Sequence, residues 1–258
     1  MKRTFLFLLT AVLLGAGLCS CDKEGNIGGD SVDNNGVNNG DNNGGDNGDD
    51  NGGGGSGDST TTVQWMDLGL PSGLLWADRN VGADNPEDYG NYYAWGETTP
   101  KEVYWWITYA YGNAYDTLTK YCNDSYYGLN GFTDNLTTLV ASDDAATANI
   151  GGDACMPTED EWQELIDNTT GTWTTLNGVY GRLLTASNGK SVFLPAAGSR
   201  YGTDLNFAGK RGYYWSSTLY MDSPSHARYF LFGSYYQTMD HNSRDHGFSV
   251  RAVRASQN

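Results

Sequence analysis

Between residues 21 and 62 the chain is built mostly from Asn, Gly and Asp, with runs such as Asn34-Asn35-Gly36-Val37-Asn38-Asn39-Gly40 and Gly52-Gly53-Gly54-Gly55-Ser56-Gly57. Such a segment cannot bury enough apolar surface to offset the entropy of ordering its backbone. It therefore reads as a disordered linker, about 35 Å long on average as a flexible coil. It does not match a calcium loop, which needs Asp, Asn and Gly at fixed offsets closed by a Glu. Whatever folds in this chain must fold from residues 63–258. That length is sufficient for one domain with its own core. All eight Trp and all 18 Tyr lie there. The net charge of −16 argues against phosphate-backbone partners, so no nucleic acid is expected.

The firmest local element within 63–258 is Pro157-Thr158-Glu159-Asp160-Glu161-Trp162-Gln163-Glu164-Leu165-Ile166. Pro157 suits a helix entry, and Thr158 with Glu161 makes a capping box. Three acidic residues occupy the first turn, where the helix dipole favours them. Trp162, Leu165 and Ile166 share one buried face. Asp167-Asn168-Thr169-Thr170-Gly171 then stops the helix. A second short helix is expected over Ser142–Ala148. Short strands are expected at Trp65–Leu68 and Leu74–Ala77, joined by the turn Leu70-Pro71-Ser72-Gly73. Others are expected on both sides of Asn188-Gly189, at Tyr213–Ser217, at Ala227–Phe232 and at Gly247–Val253. In the last, Phe248, Val250 and Ala252 are expected inward and Ser249, Arg251 and Val253 outward. The pattern is α+β and loop-rich.

Ahead of the linker, Lys2 and Arg3 precede a short apolar run, Phe5 to Leu18, that ends in Leu18-Cys19-Ser20-Cys21. Residues 1–20 read as a secretory signal, and the final four resemble a bacterial lipobox. The resemblance implies cleavage before Cys21 and lipidation of Cys21, hence a membrane partner through a lipid anchor. Asp22 and Glu24 resemble the acidic tag of surface-exported lipoproteins, and that resemblance implies a surface-exposed, outer-membrane location.

Within the domain, Trp76-Ala77-x-Arg79-Asn80-Val81-Gly82, Trp95-Gly96-Glu97, Met156-Pro157-Thr158-x-x-Glu161-Trp162-x-x-Leu165, Tyr214-Trp215-Ser216-Ser217 and Gly247-Phe248-Ser249-Val250-Arg251 occur in that order. Together they resemble the Fibrobacter succinogenes major paralogous domain, found on surface lipoproteins of anaerobic bacteria. The helix block and the terminal Gly-Phe-x-x-Arg also resemble the formylglycine-generating enzyme superfamily. The resemblance implies a single C-type-lectin-like α+β domain with mixed short sheets and two short helices. It does not carry the enzyme's copper chemistry over, because that needs a late pair of cysteines and no Cys follows Cys155.

No residue is nominated as catalytic, and no cofactor or metal is expected. Asp240-His241 and Asp245-His246 read as a solvated polar loop. With Cys21 acylated, Cys122 and Cys155 remain in an oxidising compartment, and a disulfide between them is expected, the alternative being two buried free thiols. A glycan or surface-protein ligand is expected on a monomer, bound by loops 98–135 and 199–246. The candidate contacts are Trp105, Trp106, Arg200, Tyr201, Arg211, Tyr235, Tyr236 and Arg244, which combine rings for stacking with guanidinium groups for bidentate bonds. Trp105 and Trp106 are adjacent, so only one of them can readily face a core. The competing functions are an envelope enzyme and a structural spacer.

Overall fold

The computed structural model describes residues 62–256; the expected signal segment, Cys21 and nearly all of the expected linker lie outside the described residues. Strand β1 (Trp65–Asp67) runs antiparallel to β2 (Leu75–Asn80), in the register Trp65 opposite Ala77. The turn between them is closed by Gly73 N–H donating to the Leu70 carbonyl at 2.9 Å.

Helix α1 (Ala145–Ile150) starts later than the sequence suggests. Its cap is Asp144, whose carboxylate accepts from the backbone of Ala146, Thr147 and Met156, while Ser142 sits in a preceding 3₁₀ turn. Helix α2 (Glu159–Asp167) carries the expected capping box in both directions: Glu161 N–H donates to Thr158 Oγ1, and Thr158 N–H donates to Glu161 Oε2 at 2.7 Å. Trp162 and Leu165 are buried and Ile166 partly so.

Strand β3 (Thr169–Leu176) begins within the helix-stop segment and is an element the sequence reading did not include. It pairs with β4 (Val179–Ala186) through the two-residue turn Asn177-Gly178, both at positive φ. Asn-Gly is the strongest hairpin signal a sequence offers, but the Thr-rich run before it lacks the apolar alternation that marks a strand. The hairpin at Asn188-Gly189 joins β4 to β5 (Ser191–Pro195) as expected.

A small hairpin follows, β6 (Ser199–Tyr201) with β7 (Asp204–Asn206). Then β8 (Gly212–Leu219), β9 (His226–Phe232) and β10 (Gln237–Ser243) form an antiparallel sheet in the order β10-β9-β8. Thus much of 199–246 is sheet, and the expected polar loop around His241 is an edge strand. Segment 98–135, by contrast, holds only two 3₁₀ turns, Trp106–Thr108 and Leu129–Gly131. Finally β11 (Arg251–Arg254) joins β2, so the two ends of the described chain share one sheet, β1-β2-β11. The architecture is mixed α+β, dominated by short antiparallel strands.

Trp76, Trp95, Trp162 and Trp215 are fully buried. Each aromatic side chain of this kind removes 150–250 Å² from water, roughly 4–6 kcal/mol apiece before chain entropy is subtracted. That is how a domain with so little helix acquires a core. Trp65 is only partly buried, under the Arg254 guanidinium at 4.6 Å. The expected inward–outward alternation of the last strand does not hold: Ser249, Arg251 and Val253 are as buried as Phe248, Val250 and Ala252. The segment is covered on both faces. Ser249 hydrogen-bonds through its backbone to Tyr213 and Trp215. Arg251 turns inward to Asn80 Oδ1 and to the carbonyls of Ala77 and Phe193. Burial lowers its pKa to about 10, which still leaves the guanidinium charged at neutral pH.

Candidate functional site

Two backbone brackets bring distant candidates together. Tyr104 and Gly202 exchange N–H···O bonds of 2.8 and 3.0 Å, and Arg200 and Gly247 do the same at 2.8 and 3.0 Å. These brackets set Trp105, Tyr201 and His246 side by side. The Trp105 and Tyr201 ring centroids are 6.3 Å apart, and those of Tyr201 and His246 4.7 Å. Trp105 is 50% exposed and Tyr201 52%, so both present a ring to solvent. Gly202 is required between them: its φ is +60°, and a Cβ there would stand 2.9 Å from Trp105 Nε1. Of the adjacent tryptophans, Trp106 is the inward one, edge-on to Tyr109 at 5.3 Å.

The other candidates separate. Arg200 neighbours Tyr201 on β6 but lies over the Tyr92 ring, 5.3 Å from its centroid. Arg211 lies 4.5 Å over Phe207, with Nη1 3.4 Å from the Tyr213 hydroxyl. Tyr236 is exposed beside Gly233, and Tyr235 is 97% exposed.

Arg244 does not belong to a ligand site. It is fully buried, and its donors reach the Tyr109 hydroxyl and the carbonyls of Tyr121, Pro224 and Lys120. The disulfide expected between Cys122 and Cys155 does not form either. Cys122 is a buried free thiol that donates to the Asp124 carbonyl. Its loop is pinned by Asp134, which accepts from the Tyr121 and Cys122 backbone. Cys155, by contrast, is bracketed to Val253 beside the terminal sheet.

Residues 183–253 match a family model described as a domain of unknown function (DUF8237). No curated protein and no solved structure matches the chain. The matched segment contains Tyr201, Phe207, Arg211 and His246 but not Trp105, so it covers one wall of the aromatic pair.

His241 and His246, expected in a solvated polar loop, instead pack against aromatic rings. His241 stacks on Tyr220 at 3.8 Å, and His226 meets His241 edge-on at 5.4 Å. His226 Nδ1 lies 3.1 and 3.0 Å from the hydroxyls of Ser223 and Ser225. Among the described residues no group of three or more His, Cys, Asp or Glu is placed to hold a metal ion. Burial pulls the pKa of both His226 and His246 below the ordinary value of 6.5. The charge on His241 pushes His226 the same way, and Asp245 opposes it at both. Below about pH 6.5 the unfolded chain therefore takes up protons that the folded chain refuses, so these histidines stabilise the fold at neutral pH and that contribution is lost as pH falls. The wild-type melting temperature is expected to drop more between about pH 7.5 and 5.5 than that of His226→Gln/His246→Gln, by thermal denaturation followed by fluorescence. Equal drops would contradict the assignment.

Proposed function

We propose that the protein is a non-catalytic adhesion module of the bacterial envelope, tethered through lipid on Cys21, that binds glycans by stacking sugar rings on Trp105 and Tyr201. The observation that carries this reading is the exposed ring pair. Two large aromatics are held half out of the surface by backbone brackets rather than folded into an aromatic-rich core that has room for their neighbours Tyr104 and Trp106. Tyr and Trp held in this way contribute contact area at little entropic cost. The order of sequence motifs supports a C-type-lectin-like arrangement and kinship with the Fibrobacter succinogenes major paralogous domain, and the lipobox-like Leu18-Cys19-Ser20-Cys21 supports an outer-membrane, surface-exposed location. The protein acts as a monomer on this reading.

A glycan array probed with the purified protein tests it. Trp105→Ala and Tyr201→Ala are each expected to weaken the captured interaction about tenfold, as loss of one stacking contact of about 1–1.5 kcal/mol implies. Their melting temperatures should stay at the wild-type value, because both rings are half exposed. An array that captures nothing, or two variants that bind like wild type, would rule out this function.

A further inference from the structure

We propose that strand β3 is a pairing edge for a second copy of this chain, joined antiparallel across a two-fold axis at Trp173. The glycan contact proposed above needs one copy only, and this inference goes beyond it.

An open sheet edge recruits another strand unless a charge, a proline, a bulge, short length or a covering segment blunts it. Among the described residues the other edges are blunted. Strands β1 and β7 are three residues long. Strand β11 is bracketed to Cys155, β6 to Gly247, and β8 to Leu139 and Ser249. Strand β10 carries Asp240 and His241, and β5 is short and ends in Pro195. Strand β3 has none of these protections. It pairs with β4 over eight consecutive residues with no shift in register. No residue from 168 to 180 is charged or is proline, in a domain with twelve Lys and Arg against twenty-two Asp and Glu.

The direction of its backbone groups follows from the next strand. Ala186 N–H donates to the Lys190 carbonyl at 2.9 Å, and Ala196 N–H to the Tyr180 carbonyl at 2.8 Å. The even-numbered residues of β4 thus turn their backbone groups toward β5, so the odd-numbered ones face β3. In the observed register those odd residues stand opposite Thr170, Thr172, Thr174 and Leu176. The N–H and C=O groups of Gly171, Trp173 and Thr175 therefore point away from the sheet. Among the described residues none of the three makes a backbone bond outside the β3–β4 ladder. The Gly171 carbonyl alone accepts a side-chain bond, from Arg182 Nη2 at 3.3 Å.

The strand is complementary to itself. A two-fold axis at Trp173 sets it opposite the partner's Trp173 and sets Gly171 opposite the partner's Thr175, both ways round. Each such pair can exchange two N–H···O bonds, and these are the residues whose groups point outward. A slip of one residue would oppose groups already used by β4. Between them Thr172 meets the partner's Thr174, a hydroxyl pair with no like charge to repel. On the other face Trp173 stacks on Tyr180, centroids 5.9 Å apart at 12°, and Tyr180 is 51% exposed. The partner's Trp173 extends this stack across the axis and covers apolar surface that one copy leaves to solvent. One ladder about 26 Å long is a weak contact, so dilute chains stay single. Copies tethered to one membrane, as proposed above, meet at a raised effective concentration.

Analytical ultracentrifugation of the full chain from about 10 µM to about 1 mM tests the pairing, with the weight-average mass expected to rise from one copy toward two. Thr175→Pro removes an outward N–H and no bond to β4. It should hold the mass at one copy throughout, with the melting temperature within about 2 °C of wild type. Thr174→Pro removes a bond inside the ladder and should lower the melting temperature instead. Charges read the register without proline. Thr172→Lys/Thr174→Lys sets like charges opposite each other and should weaken the pairing about tenfold. Thr172→Lys/Thr174→Glu sets opposite charges there and should restore it. A constant mass for the wild type overturns the proposal. So does association that persists in Thr175→Pro, that grows beyond two copies, or that is the same in the two charge variants. Glycan capture is separate: Trp105→Ala should lose it and still pair, and Thr175→Pro should do the reverse.

Discussion

Replacing Arg244 with Met is expected to cost about 3–5 kcal/mol of folding stability, a large share of the total for a domain this size. The side chain is fully buried, and among the described residues no carboxylate lies within ion-pair distance of it. Its charge is instead met by the carbonyls of Tyr121, Pro224 and Lys120, by the Tyr109 hydroxyl at 2.8 Å, and by the Trp95 ring, 5.0 Å from the guanidinium carbon. Burial raises the Tyr109 pKa, so that hydroxyl keeps its proton and donates it to the Trp95 carbonyl at 2.7 Å while accepting from Arg244. Methionine fills most of the volume but leaves these acceptors unpaired in a dry interior, where each orphan costs about 1–3 kcal/mol. The loss is not confined to one strand, because Arg244 ties the chain after β10 to the loop at 109–122. Urea denaturation followed by tryptophan fluorescence would measure it. Arg244→Lys should recover little, since one ammonium cannot reach four acceptors spread over a planar fork. A midpoint for Arg244→Met within about 0.5 kcal/mol of wild type would show that the network contributes nothing net.

Arg244 also shows where sequence reading runs out. It stands in Ser243-Arg244-Asp245-His246, a polar string with no apolar periodicity, and looks like a solvated loop beside other candidate contacts. Its burial is decided by residues more than 120 positions earlier, in a segment with no regular secondary structure to predict. Arg251 deceives for the same reason: strict alternation puts it outward, but a strand covered on both faces has no outward side. What was legible is local. The Thr158–Glu161 capping box, the Asn188-Gly189 hairpin and the paired strands β1 and β2 rest on side chains and turns a few residues apart. The Trp105–Trp106 pair lies between these cases. Adjacency alone said that one ring must face out. Which one, and that Tyr201 would meet it, depended on the bracket to Gly202 across almost 100 residues. The cysteine pairing failed because parity counts thiols and says nothing of distance.

Trp162→Ala is expected to be the most damaging single substitution in the hydrophobic core, costing about 3–5 kcal/mol. The ring is fully buried and sits between Trp76 at 4.8 Å and Phe230 at 5.1 Å, with the Tyr214 ring at 5.9 Å. Those partners come from β2, β9 and β8, so one side chain on α2 packs two sheets against the helix. Its indole N–H also donates to the Trp215 carbonyl at 3.2 Å. Alanine leaves a cavity lined by rigid rings, and rigid walls collapse poorly, which places the cost toward the upper end of the range for such truncations. Phenylalanine keeps most of the packing and loses the hydrogen bond and part of the ring, so about half the loss is expected for Trp162→Phe. Differential scanning calorimetry would separate them: a shift of roughly 6–15 °C for Ala, and a smaller one for Phe. Equal shifts would mean that the hydrogen bond, not the packing, holds the helix to the sheets. No shift for either would mean that the three aromatic contacts can be remade by neighbours, and that α2 is held in place by its capping box and by the Arg228–Glu159 pair at 3.2 Å instead.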